Sequence, residues 1–210
     1  MNTATLKVQV TTVYPGIIGG AIFKGKVVGE RNSVTFRSKE DAYIRRPREG
    51  EFWEVTGHWE TYTPTKKYKR NAPDMQKQIA VKKAQVINLP LDNYVGNLLQ
   101  HHPSFRGFHF GTKKIQRLMR EIGAESLVKL LSEEDHLAIA DVLNEDIAKR
   151  LVIEWARLKS EIDTVNFLCE YHFEPLLAKK IIQLAKHNTV ERLKKDPYTL
   201  VCFNSITRNL

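Results

Sequence analysis

From Leu6 to about Leu89 apolar and polar positions alternate with a period of two, in residues rich in Val, Ile, Thr and aromatics and broken by Gly and Pro. Such alternation marks strands with one face buried. Five strands are predicted: Leu6 to Tyr14, Ala21 to Val28, Ser33 to Arg37, Glu51 to Tyr62, and Gln78 to Asn88. Turns fall at Pro15-Gly16, Gly29 to Asn32 and Pro47 to Gly50. After Leu89-Pro90 the period changes to that of helices. A linking helix is predicted over Leu91 to Gln100, stopping near Pro103, and three helical hairpins follow.

Hairpin one spans Gly111 to Leu131, with Ile115, Leu118, Met119 and Ile122 on one helix face, Leu127, Leu130 and Leu131 on the next, and a break at Gly123. Hairpin two covers Leu137 to Lys159, and hairpin three Thr164 to Leu200. Three echoes open helical runs: Thr112-Lys113-Lys114-Ile115, Ala148-Lys149-Arg150-Leu151 and Ala178-Lys179-Lys180-Ile181. Their spacings of 36 and 30 residues make the units related rather than identical. Such pairs bury their apolar faces against one another in a compact bundle.

The fold class expected is therefore α+β. Residues 1–89 form a five-stranded barrel of the oligonucleotide-binding (OB) type, and residues 90–210 an all-α bundle of about three helix-hairpin-helix units. Closing a small barrel removes the exposed strand edges. A small open barrel or an SH3-like fold reads similarly.

Charge separates the two parts. The 210 residues carry a formal net charge of +9. Residues 1–90 hold 16 Lys and Arg against 8 Asp and Glu, whereas residues 91–210 hold 17 against 16. A field confined to the barrel attracts a polyanion. The stretch from Tyr62 to Lys77 has no periodicity, contains Pro64 and Pro73, and carries Lys66-Lys67-Tyr68-Lys69-Arg70, so it reads as an exposed basic loop. Cations interleaved with an aromatic neutralise phosphates while the ring stacks on a base. Barrel residues expected to contact nucleic acid are Lys24, Lys26, Arg31, Arg37, Arg45, Arg46, Arg48, Tyr62, Lys66, Lys67, Tyr68, Lys69 and Arg70. Trp53 is expected in the core. Trp59 shares its strand parity and so needs a bulge or a frayed end to reach solvent.

No apolar run approaches the roughly 20 residues of a spanning helix, and the first residues lack the layout of a signal peptide. The expectation is a cytoplasmic protein with no membrane partner. Cys169 and Cys202 are too few and too far apart for a zinc cluster or disulfide framework, and both read as small buried residues. Gly20-Ala21-Ile22-Phe23-Lys24-Gly25-Lys26 fits part of a phosphate loop, but Val27 stands where a hydroxyl is needed, and Ile22-Phe23 belong to a strand. His101-His102 lacks a partner at ligand spacing and suits a loop or capping role. No catalytic set or metal site emerges, so no chemistry is expected of this segment itself.

The order of parts resembles the N-terminal region of RecD/TraA-type ATP-dependent DNA helicases, related to the exodeoxyribonuclease V alpha subunit. Gly50-Glu51-Phe52-Trp53-Glu54-Val55-Thr56-Gly57-His58-Trp59 resembles a barrel strand of that family with its G-x-W ending, with Lys67-Tyr68 after it. Asn166-Phe167-Leu168 through Pro175-Leu176-Leu177-Ala178-Lys179-Lys180-Ile181, closing on Asp196-Pro197-Tyr198-Thr199-Leu200, resembles the last hairpin. The resemblance implies a DNA-binding accessory module that positions single-stranded or forked DNA for a 5′-to-3′ motor in cis. ATP and magnesium would belong to that motor, beyond residue 210, and no cofactor is expected in this chain. Hairpins of the family turn through Gly-hydrophobic-Gly, bringing backbone N–H groups to a phosphate. The corresponding turns here are His109-Phe110-Gly111, Val142-Leu143-Asn144 and His172-Phe173-Glu174. Only the first keeps a glycine, so phosphate contact is expected at Gly111, Thr112, Lys113, Lys114 and Arg117. The alternative function is a protein–protein interaction module with little DNA affinity.

Overall fold

The computed structural model describes residues 3–16, 18–63, 75–87, 94–185 and 189–196. Five strands, β1 (Thr3–Pro15), β2 (Ala21–Val27), β3 (Ser33–Ser38), β4 (Phe52–Tyr62) and β5 (Gln76–Val86), close into a barrel in the order β1-β2-β3-β5-β4. The alternation anticipated all five strands to within three residues at most ends. Neighbours are antiparallel except β3 and β5, which run parallel with Phe36 opposite Ile79. β1 is long enough to serve two partners: Thr3 to Gln9 pair with β4, and Val8 to Pro15 with β2. A register shift between Val10 and Thr12 bends it from one to the other. The expected boundary at residue 89 falls outside the described residues.

Inward positions supply the core: Val8, Val10, Phe23, Phe36, Trp53, Val55 and Ile79 are all buried. Phe23 and Phe36 stack with ring centroids 4.9 Å apart. The phosphate-loop lookalike forms β2, with Phe23 in the core, as its strand pattern required.

The helices are α1 (Tyr94–His101), α2 (Thr112–Glu121), α3 (Ala124–Ser132), α4 (His136–Ala140), α5 (Glu145–Glu170), α6 (Pro175–Ala185) and α7 (Thr189–Lys195). Between α1 and α2 runs a 3₁₀ segment over Pro103–Phe108. Each echo opens within the first turn or two of a helix, and Ile115, Leu151 and Ile181 are buried. Asn144 caps α5, its Oδ1 accepting from Ile147 N–H at 2.8 Å. Asp135 caps α4 in the same way.

Hairpins two and three are not separate units. The chain between Lys159 and Thr164 stays helical, so the second half of one and the first half of the other are the single 26-residue helix α5. No Gly or Pro interrupts residues 145–170, and Leu158, Ile162 and Val165 carry the buried stripe through the polar stretch. Thr164 Oγ1 donates back to Ser160 O at 2.8 Å, satisfying its hydroxyl without breaking the helix. His109 and His172 hold left-handed φ of 50° and 56° where the resembled turn would have glycine.

One polar network joins barrel to helices. Glu51, at the mouth of β4, has no solvent exposure. Its carboxylate accepts from Arg45 Nη2 at 2.7 Å and Nη1 at 3.3 Å, Arg48 N–H at 2.9 Å, Trp53 Nε1 at 3.0 Å, and His102 Nε2 at 3.2 Å. His102 Nδ1 accepts from Ser104 N–H, which caps the 3₁₀ segment and leaves the ring proton on Nε2. The capping role expected for the His pair is thus filled by His102, while His101 is exposed. On α5, Glu161 takes two hydrogen bonds from Arg48, each 2.8 Å, and lies 3.0 Å from Arg45 Nε as an ionic contact outside hydrogen-bond angles. Gly50, at φ 87°, lets α1 close over this end, because a side chain there would meet His102 N and Asn97 O.

Burial by itself raises the Glu51 pKa, yet the Arg45 charge and the hydrogen bonds from His102 and Arg45 outweigh it and bring the group to about 2. Burial, with the nearby Glu51 charge, pushes Tyr94 up to about 12. A carboxyl whose folded pKa is depressed stabilises the fold above its unfolded pKa and loses that contribution as pH falls. Stability should therefore decline as pH drops from about 4.5 toward about 2. Glu51→Gln should cost roughly 3–5 kcal/mol at neutral pH by leaving Arg45 half-paired in the interior. Denaturant unfolding across this pH range checks both, and an unchanged pH slope in the variant would refute the assignment.

Candidate nucleic-acid interface

Cross-strand register sorts the barrel's outer face into rows. Tyr14 lies opposite Ile22, and Ile22 opposite Arg37; Thr12, Lys24 and Thr35 form the next row; Gln9, Lys26 and Ser33 the third. Directly opposed residues share a face, so these rows form one continuous surface over β1, β2 and β3. Lys24, Lys26 and Arg37 are exposed, and Tyr14 keeps 49% of its surface in solvent. A groove lined by Ile22, Thr35, Arg37, Glu60, Thr61, Tyr62 and Gln78 continues this surface to the end of β4. In OB-type barrels the β2–β3 face and the β1–β2 and β4–β5 connections form the oligonucleotide-binding surface.

Within the groove Arg37 grips Glu60 with both arms, Nε to Oε1 at 2.9 Å and Nη2 to Oε2 at 3.0 Å. Gln78 Nε2 donates to the same carboxylate at 2.6 Å. The Arg37 hydrogen bonds hold the Glu60 pKa below its ordinary value against a smaller opposing effect of burial. Arg37 is thus exposed but already engaged by an internal anion. Tyr62 sits at the groove's end, its hydroxyl donating to Gln76 Oε1 at 2.6 Å.

The structure divides the sequence-derived residues into groups. Lys24, Lys26, Arg37 and Tyr62 share the outer face and groove, and Arg31 is exposed in the turn between β2 and β3. Lys66, Lys67, Tyr68, Lys69 and Arg70 lie outside the described residues, in the connection that leaves Tyr62. Arg45 and Arg48 require correction. Arg45 retains only 9% side-chain exposure; Arg48 keeps 34%, and both guanidinium groups are engaged by Glu51 or Glu161 at the joint between barrel and helices. Arg46 is exposed but donates through Nε and Nη2 to Gly19 O. A sequence tally of positive charge cannot see that Glu51 and Glu161 consume these cations.

Trp59 is 43% exposed and Trp53 buried, despite their shared parity. The register shift near Thr56 and Gly57 leaves its extra residue, Lys82, on β5, so β4 keeps its alternation; Trp59 lies opposite buried Ile79 and is exposed because it stands toward the end of the strand. Tyr14 was not anticipated: it has the parity of the buried Val8 and Val10, and the register shift between Val10 and Thr12 is what turns it outward, opposite Ile22. On the helices, Gly111 caps α2 with open space around it. Thr112, Lys113 and Lys114 are exposed there, while Arg117 pairs with Glu121 at 3.0 Å. These residues sit on α2, which packs against α1 and α3, apart from the β2–β3 rows. Cys169 is half-buried, with its thiol pKa raised by burial, and Cys202 lies outside the described residues.

Among the described residues no helix is long and apolar enough to cross a membrane. No family model matches the sequence, and no curated protein matches it. Among solved structures the chain is similar to an aspartyl tRNA synthetase from Entamoeba histolytica, at 12% identity and a TM-score of 0.31. That match takes in 81% of this chain and 34% of the synthetase chain.

Proposed function

We propose that the chain binds single-stranded nucleic acid across the outer face of β2 and β3, from the β4–β5 connection toward the β1–β2 loop. We propose further that it serves as the DNA-binding accessory module of a RecD-like 5′-to-3′ helicase, handing single-stranded or forked DNA to a motor in cis. The observation that carries the first reading is the row arrangement: Lys24, Lys26 and Arg37 on one exposed surface, bounded by the rings of Tyr14 and Tyr62. Support for the second is the sequence resemblance described above, in which a barrel precedes helical hairpins.

The mechanism is electrostatic and stacking. Lysines on the face displace counterions from the phosphates, a gain that salt erodes. Exposed rings contribute roughly 1–3 kcal/mol for each base they stack, with little regard to sequence. Arg37 joins them only by exchanging Glu60 for a phosphate. ATP and magnesium belong to the motor in this reading, and the barrel and helices supply binding and placement alone.

Labelled single-stranded oligonucleotides should bind with a log–log salt slope of about −3, corresponding to roughly four neutralised phosphates. Combining Lys24→Glu with Lys26→Glu should weaken binding and flatten that slope by about 1.4. Absence of binding at low salt, or a flat slope in the parent, sinks the reading. Glu60→Gln should tighten binding several-fold by freeing Arg37, whereas Glu133→Gln, the same charge change at the end of α3, should have a smaller effect. Equal affinities for the two variants would show that Glu60 does not restrain Arg37.

A further inference from the structure

The loop between β1 and β2 holds a side chain in a costly conformation. Ile18 has φ 44° and is 88% exposed. A β-branched residue at positive φ is a steric outlier, and nothing in the fold is gained by packing this one. Such strain persists only where the surroundings enforce it.

Here the surroundings do enforce it. Gly16 N–H donates to Gly20 O at 3.0 Å and closes the loop. The Gly19 carbonyl accepts from Tyr43 OH at 3.1 Å and from Arg46 Nε and Nη2 at 3.1 and 2.8 Å. Gly19 itself, at φ 75°, presses against the Glu40 carboxylate where a side chain would stand. Glu40 is in turn held from α6 by Lys179, whose Nζ donates to Glu40 O at 2.7 Å. Tied at Gly16, Gly19 and Gly20, the backbone beside Ile18 presents its side chain as a projection into solvent.

Its position gives the projection a partner. The loop borders the same surface as Tyr14 before it and Ile22 after it, and β3 pairs Ser38 with Ala21 at this end. The β4–β5 connection leaves from the opposite end of the parallel β3–β5 pair. A strand lying along the face from that connection therefore reaches Ile18 last. Apolar side chains held at the edge of a nucleic-acid path insert beside a base step and unstack it. We infer that Ile18 is an apolar wedge acting on the first base pair where a bound single strand enters duplex. This inference rests on the nucleic-acid reading above and adds the junction as the ligand.

The test uses the whole chain and a forked DNA carrying 2-aminopurine at the first paired position. Parent protein should raise its fluorescence several-fold at saturation. Ile18→Ala should abolish most of that rise while single-strand affinity stays within about twofold of the parent, since ring stacking and phosphate contacts are untouched. Ile18→Asn, suited to the left-handed backbone, should also lose the rise while melting about 2–4 °C higher than the parent. Single-strand binding with an undiminished fluorescence rise in Ile18→Ala overturns the wedge and leaves the binding reading intact. Equal loss of single-strand and fork affinity in that variant also overturns it, by making Ile18 an ordinary contact. Failure of the parent to bind either DNA overturns both readings together.

Discussion

The fold turns on one carboxylate with no access to water. Burying the charge of Glu51 without compensation would cost several kcal/mol, so the structure can exist only if donors converge on it. They come from four places in the sequence: Arg45 and Arg48 before β4, Trp53 within it, and His102 after α1. Satisfying Glu51 therefore fixes the path of the β3–β4 connection, the orientation of the core tryptophan and the seat of the first helix at once. The network is better understood as a constraint on geometry than as a large net source of stability, because apolar packing of equal volume often serves stability as well or better.

That constraint also decides which cations remain for a ligand. Arg45 and Arg48 face inward to Glu51 and Glu161, and Arg46 braces the β1–β2 loop. Among the described residues, Lys24, Lys26 and Arg37 remain exposed on β2 and β3, spaced by strand register. A rigid joint behind the barrel and a graded surface in front are two uses of the same composition. The barrel's positive field and its internally paired arginines are consequently different quantities, and net charge reports only their sum.

The barrel was legible because period-two alternation holds along most of each strand, and inward residues such as Val8, Phe23, Phe36 and Val55 are apolar, while inward Ser38 is satisfied by hydrogen bonds to Ala21. The face was partly legible: Lys24, Lys26, Arg37 and Tyr62 could be named, but which basic residues turn inward depends on partners far off in sequence. Arg48 meets Glu161 across 113 positions, and no local pattern announces that pair. The helical part failed at one place for a related reason. A polar stretch from Lys159 to Thr164 looks like a turn, yet with no Gly or Pro to break it the buried stripe of Leu158, Ile162 and Val165 keeps α5 continuous.

The union of Arg48 with Glu161 also imposes an order on biosynthesis. A chain emerging from the ribosome amino end first can pair its five strands once residue 86 is free, but Glu51 stays uncovered until His102 arrives. Arg48 stays without its carboxylate until α5 has been made. Contacts this distant in sequence carry a large loop-closure cost, so strand pairing is the more local and the joint the more demanding part of the fold to close. The joint is complete only once α5 brings Glu161 to Arg48, and α6 follows it with Lys179 for Glu40, beside the loop that borders the outward surface.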